Sequence, residues 1–341
     1  MTATAPRLRS DRLVVPDVLR GVAVVAMLIA HAMPLVPTAR TGASGLIAWN
    51  INDLASPLFA LVMGMSAALV LARPGASARR TVLQNLIRGA VLIALGLWLG
   101  GWGSWIAIVL QFLGVTLAIG TPLLLLRPWL IGAIAGVLAL VAGPLNAAVL
   151  AAVGPVTPYP PGPLDLLTVW LFTGPSYRVT NLLPFFLLGA LLLRHGFRRD
   201  RLLPVLAVVA VVAYPVRVVV DRIAGTDSVS GSLPDTLHDL GLVLATYVVV
   251  VLLATARAPV VDRVLLPMRA VGTVALSVYV LQVALVAAFA KAGLGYSADT
   301  PLAFLVLVFG VWAVGVLWWR FVGLGPIEWL IGRLTRLVPG R

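Results

Sequence analysis

The fold is decided by the stretch Val15-Pro-Asp-Val-Leu-Arg-Gly-Val-Ala-Val-Val-Ala-Met-Leu-Ile-Ala-His31, which is apolar except for Asp17, Arg20 and His31. In an α-helix the eleven-residue step from Arg20 to His31 makes about three turns, with an offset of ~20° and a rise of roughly 16 Å. Both side chains therefore share one helix face. Ionisable groups inside a membrane helix are costly, so this face indicates a site reaching from one membrane surface towards the other.

The composition is that of a polytopic membrane protein. Of 341 residues, 61% are hydrophobic and 11% are charged, and the mean hydropathy is +1.05. Soluble domains carry about 25% charged residues. The net charge of +13 is spread over short loops between apolar spans. Such a pattern is typical of orientation bias and not of nucleic-acid binding, so we expect no nucleic-acid partner.

Cysteine is absent from the chain. A disulfide framework, a thiol nucleophile and a thiolate metal site are therefore excluded. His238 lies beside Asp235 and Asp239, but no second histidine is near it, and we predict no metal site.

Windows of about 20 apolar residues predict an all-α protein with ten transmembrane helices in one bundle. The predicted spans are 16–36, 46–72, 84–101, 104–126, 128–150, 179–193, 202–220, 237–256, 270–290 and 301–321. Placing both termini in the cytoplasm puts all but five of the 25 Lys and Arg residues inside, the exceptions being Arg40, Arg178, Arg217, Arg222 and Lys291. The positive-inside rule favours this orientation.

There are two outer segments long enough to do more than turn, 151–178 and 221–236, and the C-terminal tail is a third part outside the spans. The outer segment 151–178 contains the proline-rich run Thr157-Pro-Tyr-Pro-Pro-Gly-Pro163 and fits either a rigid linker or a lid over a substrate. Residues 323–341 are too short and too basic to span. We therefore divide the chain into a transmembrane domain, 1–322, and a cytoplasmic amphipathic tail, 323–341, with Trp329, Leu330 and Leu334 on its apolar face.

The cytoplasmic ends of two spans carry candidate groups for binding a phosphate. Asp17 and Arg20 are three residues apart and can pair across one helical turn. Arg79, Arg80 and Arg88 form a basic entrance to the third span. A topology anchor explains Arg20 equally well, and anionic lipid headgroups explain the other three.

His31 is the candidate for chemistry at the outer end. A neutral imidazole can serve as a general base or accept an acyl group, although an interfacial hydrogen bond is the alternative role. Asn50 and Asp53 are predicted at the same level, where Asp53 could orient the imidazole. Asn and Asp also favour helix starts, so an N-terminal cap is the competing interpretation. Other polar residues within spans are expected to face the bundle interior: Gln111, Asn181, Ser277, Tyr279 and Gln282.

Several of these motifs resemble known membrane acyltransferases. The matching residues are Val15 to Met27, His31, Trp49-Asn50, Asn52-Asp53-Leu54, Pro57-Leu-Phe59 and Met63-Gly-Met-Ser66, and they resemble the heparan-α-glucosaminide N-acetyltransferase-like family. The Arg20-to-His31 spacing resembles the arginine, ten residues, histidine motif of the acyltransferase-3-related bacterial O-acyltransferases. Gly272 to Tyr279 and Gly325 to Trp329 resemble C-terminal signatures of related bacterial membrane proteins. Where the ninth span of that family can carry a histidine after the tyrosine, this chain has Gln282.

The resemblance implies an enzyme that moves an acyl group from cytoplasmic acyl-CoA, with acetyl-CoA as the donor, to a sugar hydroxyl or amine outside. It implies CoA binding by Asp17, Arg20, Arg79, Arg80 and Arg88, and catalysis by His31 with Asp53 and Asn50. A single lysine against 24 arginines indicates a GC-rich bacterium, so we expect the plasma membrane and an envelope sugar or glycolipid acceptor. Membrane lipids are expected partners, and a homodimer is left open. A transporter or lipid-handling protein is the alternative, and an inert assembly partner is a third.

Overall fold

Residues 14–73, 75–154, 162–256 and 259–338 are described by the structure, a computed structural model. No β-strand occurs within these ranges, which confirms the all-α prediction. The helices are α1 (Val14–Ala32), α2 (Gly42–Leu71), α3 (Ala78–Gly100), α4 (Leu110–Leu123), α5 (Pro128–Val153), α6 (Pro163–Thr168), α7 (Val179–His195), α8 (Leu202–Ala213), α9 (Val216–Ala224), α10 (Leu233–Ala254), α11 (Pro259–Thr273), α12 (Ala275–Lys291), α13 (Pro301–Leu305), α14 (Val311–Phe321) and α15 (Pro326–Arg336). The predicted proline-rich run lies outside the described residues over 157–161, as do residues 339–341 of the predicted tail.

Seven helical segments in the described ranges are long and apolar enough to cross a membrane: Val14–Leu35, Gly42–Leu71, Ala78–Gly100, Pro128–Val153, Leu202–Ala224, Leu233–Ala254 and Pro301–Phe321. The pair α11 and α12 gives an eighth, although its two halves are bent by 73°. The shorter helices α4 and α7, with 14 and 17 residues, occupy the two remaining predicted positions. The protein is therefore a polytopic helical membrane protein, while the count of ten spans and the side of the termini stay predictions.

Several helices begin away from the predicted span starts: α3 begins at Ala78 and not at 84, and α10 begins at Leu233 and not at 237. The fourth helix begins at Leu110 and not at 104, because Gly103 has a φ of +73° and the chain stays irregular as far as residue 109. Glycine adopts this left-handed conformation without steric cost and so commonly ends a helix. The second helix begins at Gly42, four residues before the predicted start at 46.

The chain forms two compact units. The first contains the residues through Phe59 together with 98–108 and 249–337, and the second contains 60–97 and 109–248. The first unit holds α1, the beginning of α2 and all helices from α11 to α15. The predicted division at residue 322 stays a prediction.

Backbone contact between α1 and α11 organises the first unit. A Cβ atom on Gly21 would overlap the carbonyl oxygen of Met268, and one on Gly272 would overlap that of Asp17. Small residues at a helix interface let backbones approach closely in a membrane, where packing must replace the hydrophobic effect. The glycines therefore hold Asp17 and Arg20 directly against the end of α11.

The break between α11 and α12 is capped from elsewhere in the first unit. Val274, the residue before α12, has no side-chain acceptor for the first amides of that helix. The carboxylate of Glu328 in α15 accepts hydrogen bonds from the backbone N–H of Leu276 at 2.7 Å and of Ser277 at 3.2 Å, and from the Ser277 hydroxyl. An anion at a helix N-terminus satisfies unpaired donors and complements the helix dipole.

The second unit repeats the small-residue packing. A Cβ atom on Gly64 would overlap the carbonyl oxygen of Phe186 in α7, and one on Gly189 would overlap that of Leu61 in α2. Gly64 belongs to a stripe of small residues at four-residue spacing in α2, Ser56, Ala60, Gly64 and Ala68.

A polar cluster ties together two segments predicted to lie outside the membrane. Arg178 donates to the carbonyl of Ser230 at 2.6 Å, and Asn181 donates to that of Gly231 at 2.9 Å. Asn146 in α5 donates to Asn181 at 3.2 Å. Burial lowers the pKa of Arg178, and the charge of nearby Asp235 acts in the opposite direction. These contacts fix the start of α7 to the residues before α10.

Candidate active site

Arg20 and His31 lie on one continuous helix, as the shared face predicted from the sequence requires. α1 runs from Val14 to Ala32, so the spacing that sequence periodicity predicts is kept. Nη1 of Arg20 lies 3.5 Å from Oδ1 of Asp17, which confirms the predicted pairing across one turn. Asp17 is 6% exposed, so its charge is compensated inside the protein and not by bulk water.

Arg20 also contacts the broken span. Its Nη1 donates to the carbonyl oxygen of Gly272 at 3.5 Å, in the last turn of α11. A cation at a helix C-terminus complements the helix dipole and satisfies a carbonyl that has no intrahelical partner. Arg20, the residue predicted to bind a phosphate, is thus anchored where α11 ends and the break before α12 begins.

His31 lies in the last turn of α1, with its ring against α12. Its backbone carbonyl accepts a hydrogen bond from Trp105 Nε1 at 3.0 Å, which holds the end of the helix. The polar side chain beside the imidazole in α12 is Gln282. Nδ1 of His31 is buried and has no hydrogen-bond partner among the described residues.

Asn50 and Asp53 do not cap a helix. α2 begins at Gly42, so both residues lie in its interior, and the N-cap interpretation is wrong. Asn50 donates to the carbonyl of Leu46 at 2.7 Å, and Asp53 accepts from Asn52 at 3.3 Å. Orientation of His31 by Asp53 or Asn50 stays a prediction.

The three arginines of α3 lie in the second unit and differ in burial. Arg79 and Arg80 are exposed, whereas Arg88 is half-buried. Arg88 donates to Asn85 at 3.1 Å, and the buried Asn85 donates to Thr121 at 3.3 Å. Arg88 is therefore positioned by a hydrogen-bonded chain, and the other two reach solvent or headgroups.

The arrangement in the first unit is compatible with acid–base chemistry. A cation stands at one end of α1 and an imidazole at the other, separated by apolar residues. Among the described residues, no group of three or more His, Cys, Asp or Glu side chains could hold a metal ion.

Two family models match this chain. The family described as "Heparan-alpha-glucosaminide N-acetyltransferase, catalytic" matches residues 12–186, just over half of the chain. The chain belongs to this family. Residues 191–338 match a family described as "Protein of unknown function (DUF418)". No curated protein matches the sequence.

Membership of the N-acetyltransferase family confirms the predicted resemblance and indicates a membrane acyltransferase. The family match contains α1 and α2, and so contains Asp17, Arg20, His31, Asn50 and Asp53. The particular roles of these residues stay predictions.

Sequence analysis placed Gln282 in the bundle interior without a partner, and it gave Glu328 no role. Both lie outside that match, in the region of the second family and 250 residues or more beyond the end of α1. The available signals were compositional: Gln282 interrupts an apolar run, and Glu328 is the only glutamate of the chain. Neither signal names a partner, because periodicity within one helix carries no information on distant contacts.

Proposed function

We propose that this protein transfers an acyl group, acetyl in the simplest case, from acyl-CoA to a hydroxyl or amine of a cell-envelope sugar or glycolipid. The observation that carries the proposal is the Arg20 and His31 face of α1, which lies within the match to an N-acetyltransferase catalytic family. The donor enters from the cytoplasm, and the acceptor meets His31 near the outer surface of the plasma membrane.

Arg20 is proposed to contact a phosphate of CoA. Asp17 and the Gly272 carbonyl hold its guanidinium at the break in the span. Guanidinium binds phosphate through several charge-assisted hydrogen bonds. An extended pantetheine arm then follows α1 for the roughly 16 Å that separate Arg20 from His31.

His31 is proposed to act as the general base. It takes the proton of the acceptor hydroxyl or amine as that oxygen or nitrogen attacks the thioester carbonyl carbon. The new C–O or C–N bond forms, the C–S bond breaks, and the leaving thiolate of CoA takes the proton from the imidazolium. An acyl-histidine route forms the same products in two displacements. Asp53 or Asn50 is proposed to orient the ring.

The arginines of α3 are a separate part of the proposal. Arg88, fixed by Asn85, is proposed to bind a CoA phosphate, with Arg79 and Arg80 adding positive potential at the cytoplasmic surface. Anionic lipid headgroups are the competing ligands. Arg79→Ala/Arg80→Ala should weaken CoA binding in detergent without added lipid if the ligand is CoA.

The function is tested with radiolabelled acetyl-CoA, purified protein and an extract of envelope sugars and glycolipids. The wild-type protein should consume the thioester and label the acceptor. His31→Ala should lower the rate by about 10²–10⁴-fold, the usual loss when general-base help is removed, while CoA still binds. His195→Ala is the matched control, because His195 lies at the end of α7 beside Asp200. Near-normal transfer by His31→Ala would rule out the role of His31 and direct attention to His238.

One observation favours a transporter as the second candidate. Broken membrane helices form the substrate sites of many transporters, and α11 and α12 are bent by 73° at their break. A transporter would move labelled substrate across proteoliposomes without consuming acetyl-CoA. Thioester consumption that depends on His31 would exclude this alternative.

A further inference from the structure

Gln282 lies over the turn of α1 that carries His31. Its side chain is fully buried, and its Nε2 donates to the carbonyl oxygen of Met27 at 3.3 Å. In a regular α-helix the Met27 carbonyl also accepts the backbone N–H of His31, four residues later. The amide of Gln282 is therefore anchored to the same helical turn as the imidazole.

This anchor fixes the orientation of the Gln282 amide. A carbonyl oxygen can only accept, so the NH₂ group of Gln282 must face Met27 and its Oε1 must point elsewhere. Oε1 of Gln282 is buried and has no hydrogen-bond partner in the described ranges, and the same is true of Nδ1 of His31. Both side chains lie at the turn of α1 from Met27 to His31, so one hydrogen bond between Oε1 and Nδ1 would satisfy both atoms.

We propose that Gln282 is a positioning residue. Its Oε1 accepts a hydrogen bond from Nδ1–H of His31, which leaves Nε2 of His31 as the reactive nitrogen. Oε1 has lone pairs and no hydrogen, so it stabilises only the tautomer with hydrogen on Nδ1. A ring nitrogen is commonly selected in this way by the hydrogen bond that the other nitrogen makes. A neutral amide does this without placing a second charge in the low-dielectric interior.

An activity test compares two substitutions of Gln282, and it rests on the proposed acyltransferase function. Gln282→Leu removes the acceptor at similar volume and should lower kcat by about 10–100-fold, the scale for losing a partner that orients a functional histidine, with KM for acetyl-CoA unchanged. Gln282→Glu keeps an acceptor and should retain more activity, with the acidic limb of its pH–rate profile moved to higher pH. Gln111→Leu is the matched control, because Gln111 also has a buried, unpartnered Oε1 but lies in the second unit. A wild-type rate and pH profile in Gln282→Leu would overturn the proposal.

A second measurement does not depend on turnover. The chain has three histidines, so ¹⁵N-histidine labelling gives a simple spectrum in which His31 is assigned by its loss in His31→Asn. The long-range ¹H–¹⁵N pattern should show hydrogen on Nδ1 in the wild type and a mixture of tautomers in Gln282→Leu. Hydrogen on Nε2, or an unchanged spectrum in the variant, would contradict the proposal. If the wild type shows the expected tautomer but no transferase activity, the proposed function fails and the positioning role stands.

Discussion

Arg20 shows at the scale of one residue how structural and functional roles coincide. Its contacts with Asp17 and Gly272 stabilise the fold, and the same contacts hold the guanidinium where a phosphate is proposed to bind. The pairing with Asp17 was predictable, because it depends only on a three-residue step in a helix. The contact with Gly272 was not, since 252 residues separate the partners.

The two roles of Arg20 can be separated by a double variant. Arg20→Ala leaves the nearly buried Asp17 carboxylate unpaired and should lower stability by about 1–3 kcal/mol. Arg20→Ala with Asp17→Asn removes that orphaned charge and should recover most of the lost thermal stability. CoA affinity, measured by calorimetry in detergent, should be lower than that of the wild type in both variants. Wild-type CoA affinity in the double variant would leave Arg20 as a structural anchor only.

At the scale of elements, apolar windows located a helix at each of the ten predicted positions but not every helix end. The predicted starts of the second, third, fourth and eighth spans differ from the helix starts, because helix starts depend on local backbone conformation more than on hydropathy. The break after α11 escaped detection for a different reason. Residues 270–290 form one apolar run in the sequence, and the carboxylate that caps the helix after the bend belongs to Glu328 in α15.

The cap supplied by Glu328 makes a prediction for α15. Glu328→Ala removes the acceptor from Leu276, Ser277 and its hydroxyl, and should lower stability by about 0.5–2 kcal/mol, the range for lost helix caps. Arg333→Ala is the matched control on the same helix, where Arg333 is exposed and packs over the Trp329 ring at 5.0 Å. We expect the control to stay within about 0.5 kcal/mol of the wild type. Equal melting temperatures for both variants would contradict a capping role.

At the scale of the whole molecule, the distribution of charge predicts the orientation of the protein in the membrane. The fold offers exposed positions where labelling can test that orientation. Ser176 is exposed just before α7, in the segment predicted outside, and Ala76 is exposed before α3, in a loop predicted inside. For an introduced cysteine in this loop, Ala76 is preferable to the neighbouring Ser77. The Ser77 hydroxyl accepts a hydrogen bond from the backbone N–H of Arg80 and helps begin α3. The native chain has no cysteine to interfere.

Labelling of intact cells tests the orientation. An impermeant maleimide should modify Ser176→Cys and should leave Ala76→Cys unlabelled until the membrane is permeabilised. Both results follow from the bias of Arg and Lys towards cytoplasmic loops. The reverse pattern would invert the protein and remove the basis for transfer from a cytoplasmic donor to an outer acceptor.

The cap on α12 also has a consequence for synthesis. Leu276 precedes Glu328 by 52 residues, so α12 is synthesised before its acceptor. During that interval the first amides of α12 have no carboxylate partner, and Val274 cannot replace it. The span that carries Gln282 is thus completed only when α15 has been made, which couples assembly of the surroundings of His31 to a late stage of translation.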